Sequence, residues 1–354
     1  MPFRTPNTFL TVSLGLLLCV LPGCSIGDST PSINRIADLP ALPEGPKKQF
    51  LPRSSESNIR NVTLAVVGEV RGELEPCGCP TLPFGGFERR ATQLSKLKTD
   101  SNGPVFHIDA GDTLVKGFAT KRIDKIETRA KEMMHLSKMV GVDLWVPGPS
   151  DLLAMSPSEI ARSDGPLRIS ATWVKSNGET LLSPTAILEK SGVRIGVIGL
   201  SGKPSNDALI AYRSPLDAIQ KALNSFPDNL DWVIAVSNLS EGETAEIART
   251  VTGISAIVST RGKRYDTPAL TTSGIPIIET PDRGRYLQVV HARLGSSPSV
   301  PMLLYPDPPT WRARMSALRR GKDDQLLEDG RGRNLGLINT IPLSADLDKP
   351  GTIS

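Results

Sequence analysis

Between residues 61 and 294 short β-rich runs alternate with helical patterns, and this alternation confines the chain to a layered α/β architecture. The strand candidates are residues 62–67, 105–108, 144–146, 167–170, 193–199, 232–237, 256–259, 275–278 and 286–294. Several are apolar at consecutive positions, the pattern of strands buried on both faces. Helix starts carry physical caps. Ser156-Pro157-Ser158-Glu159 and Ser240-Glu241-Gly242-Glu243 fit the capping box, and Ser214-Pro215 places proline where a missing N–H costs nothing. A longer helix near residues 122–140 lines up Ile123, Ile126, Ala130 and Met133 on one face, and Gly141 stops it. No internal repeat is seen.

The 354 residues are 39% hydrophobic and 22% charged, ordinary for a chain that buries a core, which excludes global disorder. Lys and Arg number 41 against 37 Asp and Glu, a net charge of +4 with no basic stripe, so no nucleic-acid footprint is present. Residues 9–21 are apolar and uncharged behind Arg4, a secretory h-region too short for a permanent spanning helix. The run Leu21-Pro22-Gly23-Cys24 resembles a bacterial lipobox, whose cysteine becomes the first mature residue and carries the lipid; plain signal-peptidase cleavage beside an incidental cysteine is the alternative. The expected organisation is a lipoprotein signal peptide over 1–23, a Pro/Ser/Gly-rich flexible tether over 24–60, and one domain over 61–295. A linker, a short helix at 310–328 with Trp311, Met315 and Leu318 at helical spacing, and an irregular tail fill 296–354. The protein is thus expected outside the cytoplasm, lipid-anchored to a bacterial membrane in the periplasm or at the cell surface.

Four segments lie just past strand ends, where open α/β sheets hold their ligands. The first is Gly68-Glu69-Val70-Arg71-Gly72-Glu73-Leu74-Glu75-Pro76-Cys77-Gly78-Cys79, followed by Gly85-Gly86-Phe87-Glu88-Arg89-Arg90-Ala91 opening a helix. The second is Ile108-Asp109-Ala110-Gly111-Asp112 and the third Gly148-Pro149-Ser150-Asp151. The fourth pairs Ser237-Asn238-Leu239-Ser240 with Val258-Ser259-Thr260-Arg261-Gly262-Lys263.

In this order the segments resemble the calcineurin-like metallophosphoesterase domain of the 5'-nucleotidase and UDP-sugar hydrolase family, over about residues 61–295. The resemblance implies a four-layer α/β/β/α sandwich in a single domain, without the family's second, substrate-specificity domain. It also implies two divalent metals that bind phosphate oxygens and generate a metal hydroxide for in-line attack. Carried over position by position, the Asp and His of the first metal motif fall on Glu69 and Arg71, while the Gly-Asp ligand survives as Asp112. The Asn and His of the third motif fall on Pro149 and Ser150, its acidic residue on Asp151, the later His on Asn238, and the last two on Arg261 and Lys263. None of the chain's three histidines matches.

Arginine and lysine offer no lone pairs to a metal, and a guanidinium about 4 Å from a divalent ion repels it by roughly 8 kcal/mol at an effective dielectric of 20. A dinuclear centre is therefore not expected. Glu69, Asp112 and Asp151 could instead hold a single oxygen-loving divalent metal or pair with the arginines. Arg71, Arg261 and Lys263 are candidate anion-binding residues for a nucleotide or other phosphorylated ligand; relaxed solvent-facing charges are the alternative. Cys77 and Cys79 read as a strained bridge or structural turn, or as a redox-active pair. The expectation is a binding module that has lost di-metal hydrolysis, a pseudoenzyme, with an active metal-dependent phosphoesterase of altered metal site as the alternative; no resident cofactor and no protein partner is identified.

Overall fold

The computed structural model describes residues 60–79, 82–115, 123–162, 164–205, 210–260, 269–270, 275–294, 302–304 and 335–343. All of them belong to one unit, Leu42–Ser354. Along the chain come β1 (Arg60–Val67), β2 (Cys77–Cys79), β3 (Leu82–Phe84), α1 (Phe87–Asp100), β4 (Val105–Asp109), α2 (Ile123–Met139), β5 (Leu144–Trp145), α3 (Pro157–Arg162) and β6 (Leu167–Arg168). There follow β7 (Trp173–Lys175), β8 (Thr185–Lys190), β9 (Val193–Leu200), β10 (Ile210–Tyr212), α4 (Pro215–Leu223), β11 (Trp232–Ser237), α5 (Glu241–Thr250) and β12 (Ala256–Ser259). The last elements are β13 (Ala269–Leu270), β14 (Pro276–Glu279), β15 (Tyr286–Leu294), β16 (Met302–Leu304) and β17 (Leu335–Pro342).

Two large sheets result, one in the order β16-β17-β15-β1-β4-β5-β6 and one in the order β13-β14-β12-β11-β9-β8. Alternation along each central strand explains how they stack. In β4, Phe106 and Ile108 join Leu64, Val197, Ile234 and Val258 in a core shared by the two sheets. The opposite face of the first sheet, with Ala65, Val105 and Trp145, packs on Leu94 of α1 and Met133 of α2. The far face of the second, with Ile198, Val233 and Ala235, packs on Ile219 of α4 and Ile247 of α5. The expected four-layer α/β/β/α sandwich is therefore the fold, and each central strand is buried on both faces because it separates two apolar layers.

The caps form as the sequence indicates: Ser240 accepts from the Glu243 N–H in a capping box, and Pro215 occupies the first turn of α4. Ser156 and Glu159 make the same reciprocal pair ahead of α3. At the end of the sheets where β4 begins, Lys190 of β8 reaches the Asp143 carboxylate at 2.6 Å and the Val105 carbonyl at 2.9 Å, clasping the two sheets.

The tail departs from expectation. Residues 335–342, placed by the sequence in an irregular tail beyond the domain, form β17, which runs antiparallel to β15 from Tyr286↔Pro342 to Ala292↔Gly336 and lies between β15 and β16. A strand owes its stability to its partner's open edge, which the local sequence does not display. The helix expected at 310–328 lies outside the described residues. β7, β8 and β10 are also absent from the expected strands: they are short or, like β8 with Ala186 and Leu188 inward, have one face buried. Truncation after residue 334 leaves one edge of β15 unpaired along seven positions, its pairing with β1 remaining on the other. With about 1 kcal/mol per lost hydrogen bond, a fall in melting temperature of roughly 10 °C or more is expected by circular dichroism; an unchanged melt would contradict the pairing.

Candidate functional site

The loops that follow β1, β4, β5, β11 and β14 converge at the carboxyl ends of the two sheets. Backbone hydrogen bonds stitch them: the N–H groups of Glu69, Arg71 and Gly72 donate to the carbonyls of Gly111, Asp112 and Thr113, and the Arg283 N–H donates to the Glu69 carbonyl at 2.7 Å. A Cβ on Gly68 would strike the Thr260 and Thr280 side chains, 2.6 and 2.7 Å away, so the first loop lies against those after β12 and β14.

Asp151 is fully buried at the centre of this mouth. Its Oδ1 accepts from the backbone N–H groups of Thr113 and Leu114, both at 2.8 Å, and its Oδ2 from those of Asp112 at 3.0 Å and Gly148 at 2.8 Å. One carboxyl thus gathers the loop after β4 and the loop after β5. Burial first, and then the charge of Asp112, push its pKa up to about 8, against the pull of the Leu114 and Gly148 N–H groups. Asp112 Oδ1 accepts from Ser150 twice, from the N–H at 2.9 Å and the hydroxyl at 2.7 Å. Gly148 cannot carry a side chain here, because a Cβ would run into that Asp112 carboxyl group.

Asn238, just past the end of β11, closes the mouth from the second sheet. Its Nδ2 group donates to the carbonyls of Ala110, Val146 and Pro147 at 3.1–3.2 Å, while its Oδ1 accepts from the Gly202 N–H at 2.5 Å. Both ends of the amide are engaged, so the side chain is a bridge between the sheets.

Beneath the mouth lies a second buried layer. Asp109 Oδ1 accepts from the Thr113 hydroxyl at 2.6 Å and the Gly111 N–H at 3.0 Å, and burial raises its pKa. Arg90, in the first turn of α1, stacks 3.9 Å from the Phe87 ring centroid; burial lowers its pKa to about 10 while the nearby Asp109 opposes the shift. Its Nε and Nη1, and both ring nitrogens of buried His107, have no well-formed hydrogen bond among the described residues. Burial, then Arg90 and Lys98, hold His107 well below the usual histidine range, against a weaker opposing pull from the Val140 and Gly141 backbone.

Backbone strain concentrates at the rim. Glu69, Arg71, Asp112 and Arg283 adopt φ of 47°, 54°, 53° and 59°, in the left-handed region. Each conformation costs a non-glycine residue about 1–2 kcal/mol. Arg71 ends in an ion pair with Glu69 at 2.8 Å.

The structure joins the loops of Glu69, Arg71, Asp112 and Asp151. Arg261, Lys263 and Cys24 lie outside the described residues. Cys77 and Cys79 belong to the strand β2, so the backbone there is extended and makes no turn. Sequence reasoning misses the bridging role of Asn238 and the buried Arg90, whose guanidinium sits inside an apolar helix pattern. The histidines stand elsewhere: His291 Nδ1 meets the Thr63 hydroxyl at 2.9 Å, and His135 lines a cavity between α2 and α3.

The described residues do not present the donor set of the two-metal centre that the sequence resemblance implies. The Asp151 oxygens face four N–H donors, and Asp112 Oδ1 faces two more donors from Ser150. Asn238 turns its NH₂ toward carbonyls, and no group of three His, Cys, Asp or Glu suited to a metal exists among the described residues.

No protein-family model matches the chain, and no curated protein matches it. Solved structures do. A 5'-nucleotidase precursor from Thermus thermophilus aligns with a TM-score of 0.59 at 17% identity, covering 81% of this chain and 55% of its own. The calcineurin-like phosphoesterase YfkN from Bacillus subtilis aligns at 0.55 and 13% identity, covering 81% and 92%. The sulfate thiohydrolase SoxB from Thermus thermophilus aligns at 0.55 and 16% identity, covering 78% and 63%. The matched region is thus just over half of the nucleotidase chain. At these identities the likeness is one of fold, that of calcineurin-like metallophosphoesterases.

Two outcomes follow from the geometry. Asp151→Asn turns an NH₂ group toward two N–H donors, and a loss of about 2–4 kcal/mol is expected from urea unfolding; unchanged or raised stability would show that the carboxyl is not the tie between loops. For His107, neutral when folded, the proton binds preferentially to the unfolded chain below its ordinary pKa of 6.5. Stability is accordingly lost as pH falls from 6.5, by up to about 1.4 kcal/mol per pH unit. His107→Leu removes that slope; equal acid sensitivity in both proteins would contradict the buried neutral state.

Proposed function

We propose that this chain is a membrane-anchored extracytoplasmic binding protein, built on a metallophosphoesterase fold, whose mouth takes a phosphorylated or other anionic ligand without two-metal hydrolysis. The observation that carries this reading is the occupation of both Asp151 oxygens and of Asp112 Oδ1 by N–H and O–H donors. In this reading the two carboxyl groups serve to fix loops, each N–H or O–H donor taking a lone pair that a metal ion would otherwise use. The retained left-handed backbone at Glu69, Arg71, Asp112 and Arg283 supports a site under functional constraint, since glycine at those positions would relieve the strain. In this reading Arg71, Arg261 and Lys263 are the cationic groups that take the anion, Arg71 exchanging its ion pair with Glu69 for the ligand.

The names of the structural neighbours favour a second reading: a phosphoester or nucleotide hydrolase with an altered metal site on Asp112, Asp151 and Glu69. Calorimetric titration with inorganic phosphate and adenosine monophosphate in the presence of a chelator separates the two. The binding reading expects saturable heat with chelator, a loss of about tenfold or more in affinity in an Arg71→Ala, Arg261→Ala double variant, and no phosphate release. Phosphate release that the chelator abolishes would establish the hydrolase instead, and absence of binding would overturn the binding reading. Anchoring through Cys24 is tested separately: Cys24→Ser is expected to move the protein from the membrane to the soluble fraction, and continued membrane partition would refute a lipid on that cysteine.

A further inference from the structure

The hairpin that carries the two cysteines is separate from both large sheets: β2 and β3 form a two-stranded ladder of their own, with Cys77↔Phe84, Gly78↔Pro83 and Cys79↔Leu82 in register. Its two strands are not held equally. Next to β3, the Pro83 carbonyl accepts from Arg89 Nη1 at 2.6 Å, the Gly85 N–H donates to the Leu343 carbonyl at 2.9 Å, and the Phe84 ring stacks on Tyr286 with centroids 5.7 Å apart. Among the described residues, β2 pairs with β3 alone. A two-stranded ladder is marginal by itself, so β2 can leave its partner at small cost while β3 stays fixed.

An extended strand separates every second residue by about 6.8 Å. A disulfide usually holds its Cα atoms about 5.5–6 Å apart, with about 6.8 Å the outer limit. The extended backbone of β2 sets Cys77 and Cys79 at that limit, so closing a bond between them draws residues 77–79 out of the ladder. Strand pairing and disulfide compete for the same three residues. A bond opposed in this way is more easily reduced than an ordinary structural disulfide.

We propose that Cys77 and Cys79 form a thiol–disulfide exchange site whose substrates are disulfides. One thiolate attacks a sulfur of the incoming disulfide, forming a mixed disulfide and releasing one substrate thiolate. The second thiolate then attacks the protein sulfur of that mixed disulfide, closing the Cys77–Cys79 bond and releasing the other. The pair loses two electrons, the substrate gains them, and the two cysteine protons end on the released thiolates. In reverse, the bridged form hands its disulfide to a dithiol and β2 returns to the ladder.

The test uses the full chain, reduced, freed of reductant, and incubated with glutathione disulfide. Peptide mapping is expected to show a Cys77–Cys79 bond within one peptide, with loss of both free thiols, reversed completely by reduced glutathione. Cys79→Ser is expected to stop at a single glutathione adduct on Cys77. Backbone hydrogen exchange at Leu82 and Phe84, the two β3 residues with an N–H, is expected to rise in the bridged form. The proposal is overturned if the wild type keeps both thiols, stops at glutathione adducts, bonds either residue to Cys19 or Cys24, forms a bridge that reduced glutathione leaves intact, or bridges without any change in exchange at Leu82 and Phe84.

Discussion

A single buried carboxyl organises the mouth of this protein. Asp151 holds the N–H groups of Asp112, Thr113, Leu114 and Gly148, and so ties the loop after β4 to the loop after β5. A carboxyl group without solvent is expensive unless its oxygens are satisfied, and four inward-pointing N–H groups are equally expensive without an acceptor. Each problem solves the other. Asn238 repeats the principle between the sheets, offering its NH₂ to carbonyls at the ends of β4 and β5 and its oxygen to the Gly202 N–H.

The rim follows from that fixation. With the β4 loop pinned from below, Asp112 is held at φ 53°, and the β1 loop, bonded to it through Glu69, Arg71 and Gly72, carries two further left-handed residues. Such conformations persist only where the surroundings overdetermine them. The hydrogen bonds supply that determination, leaving Arg71 and Glu69 paired at the rim.

Much of this is legible in the sequence because central strands advertise themselves. Residues 232–237, 256–259 and 286–294 are strands over the expected spans, and Asn238 and Thr260, the residues just past the first two, lie at the mouth. Asp112 and Asp151 stand out in the sequence, but as possible ligands; that their oxygens are filled by the protein's own donors depends on the meeting of two loops, which residue spacing does not reveal. Asn238 looks like a missing histidine because its three carbonyl partners lie 91 or more positions away in the chain. β17 escapes for a related reason: its register is set by β15, not by any signal of its own. Arg90 is hidden by a helix pattern in which a charged residue is ordinarily on the outside, whereas here it is 1% exposed.

The central claim is that the carboxylates at the mouth are committed to the protein's own donors and do not hold metal. The most direct measurement is the metal content of the purified full chain, by mass spectrometry, after equilibration with zinc, manganese or iron and removal of loosely bound ions. The account expects no stoichiometric metal. One or more tightly held equivalents per chain would contradict it.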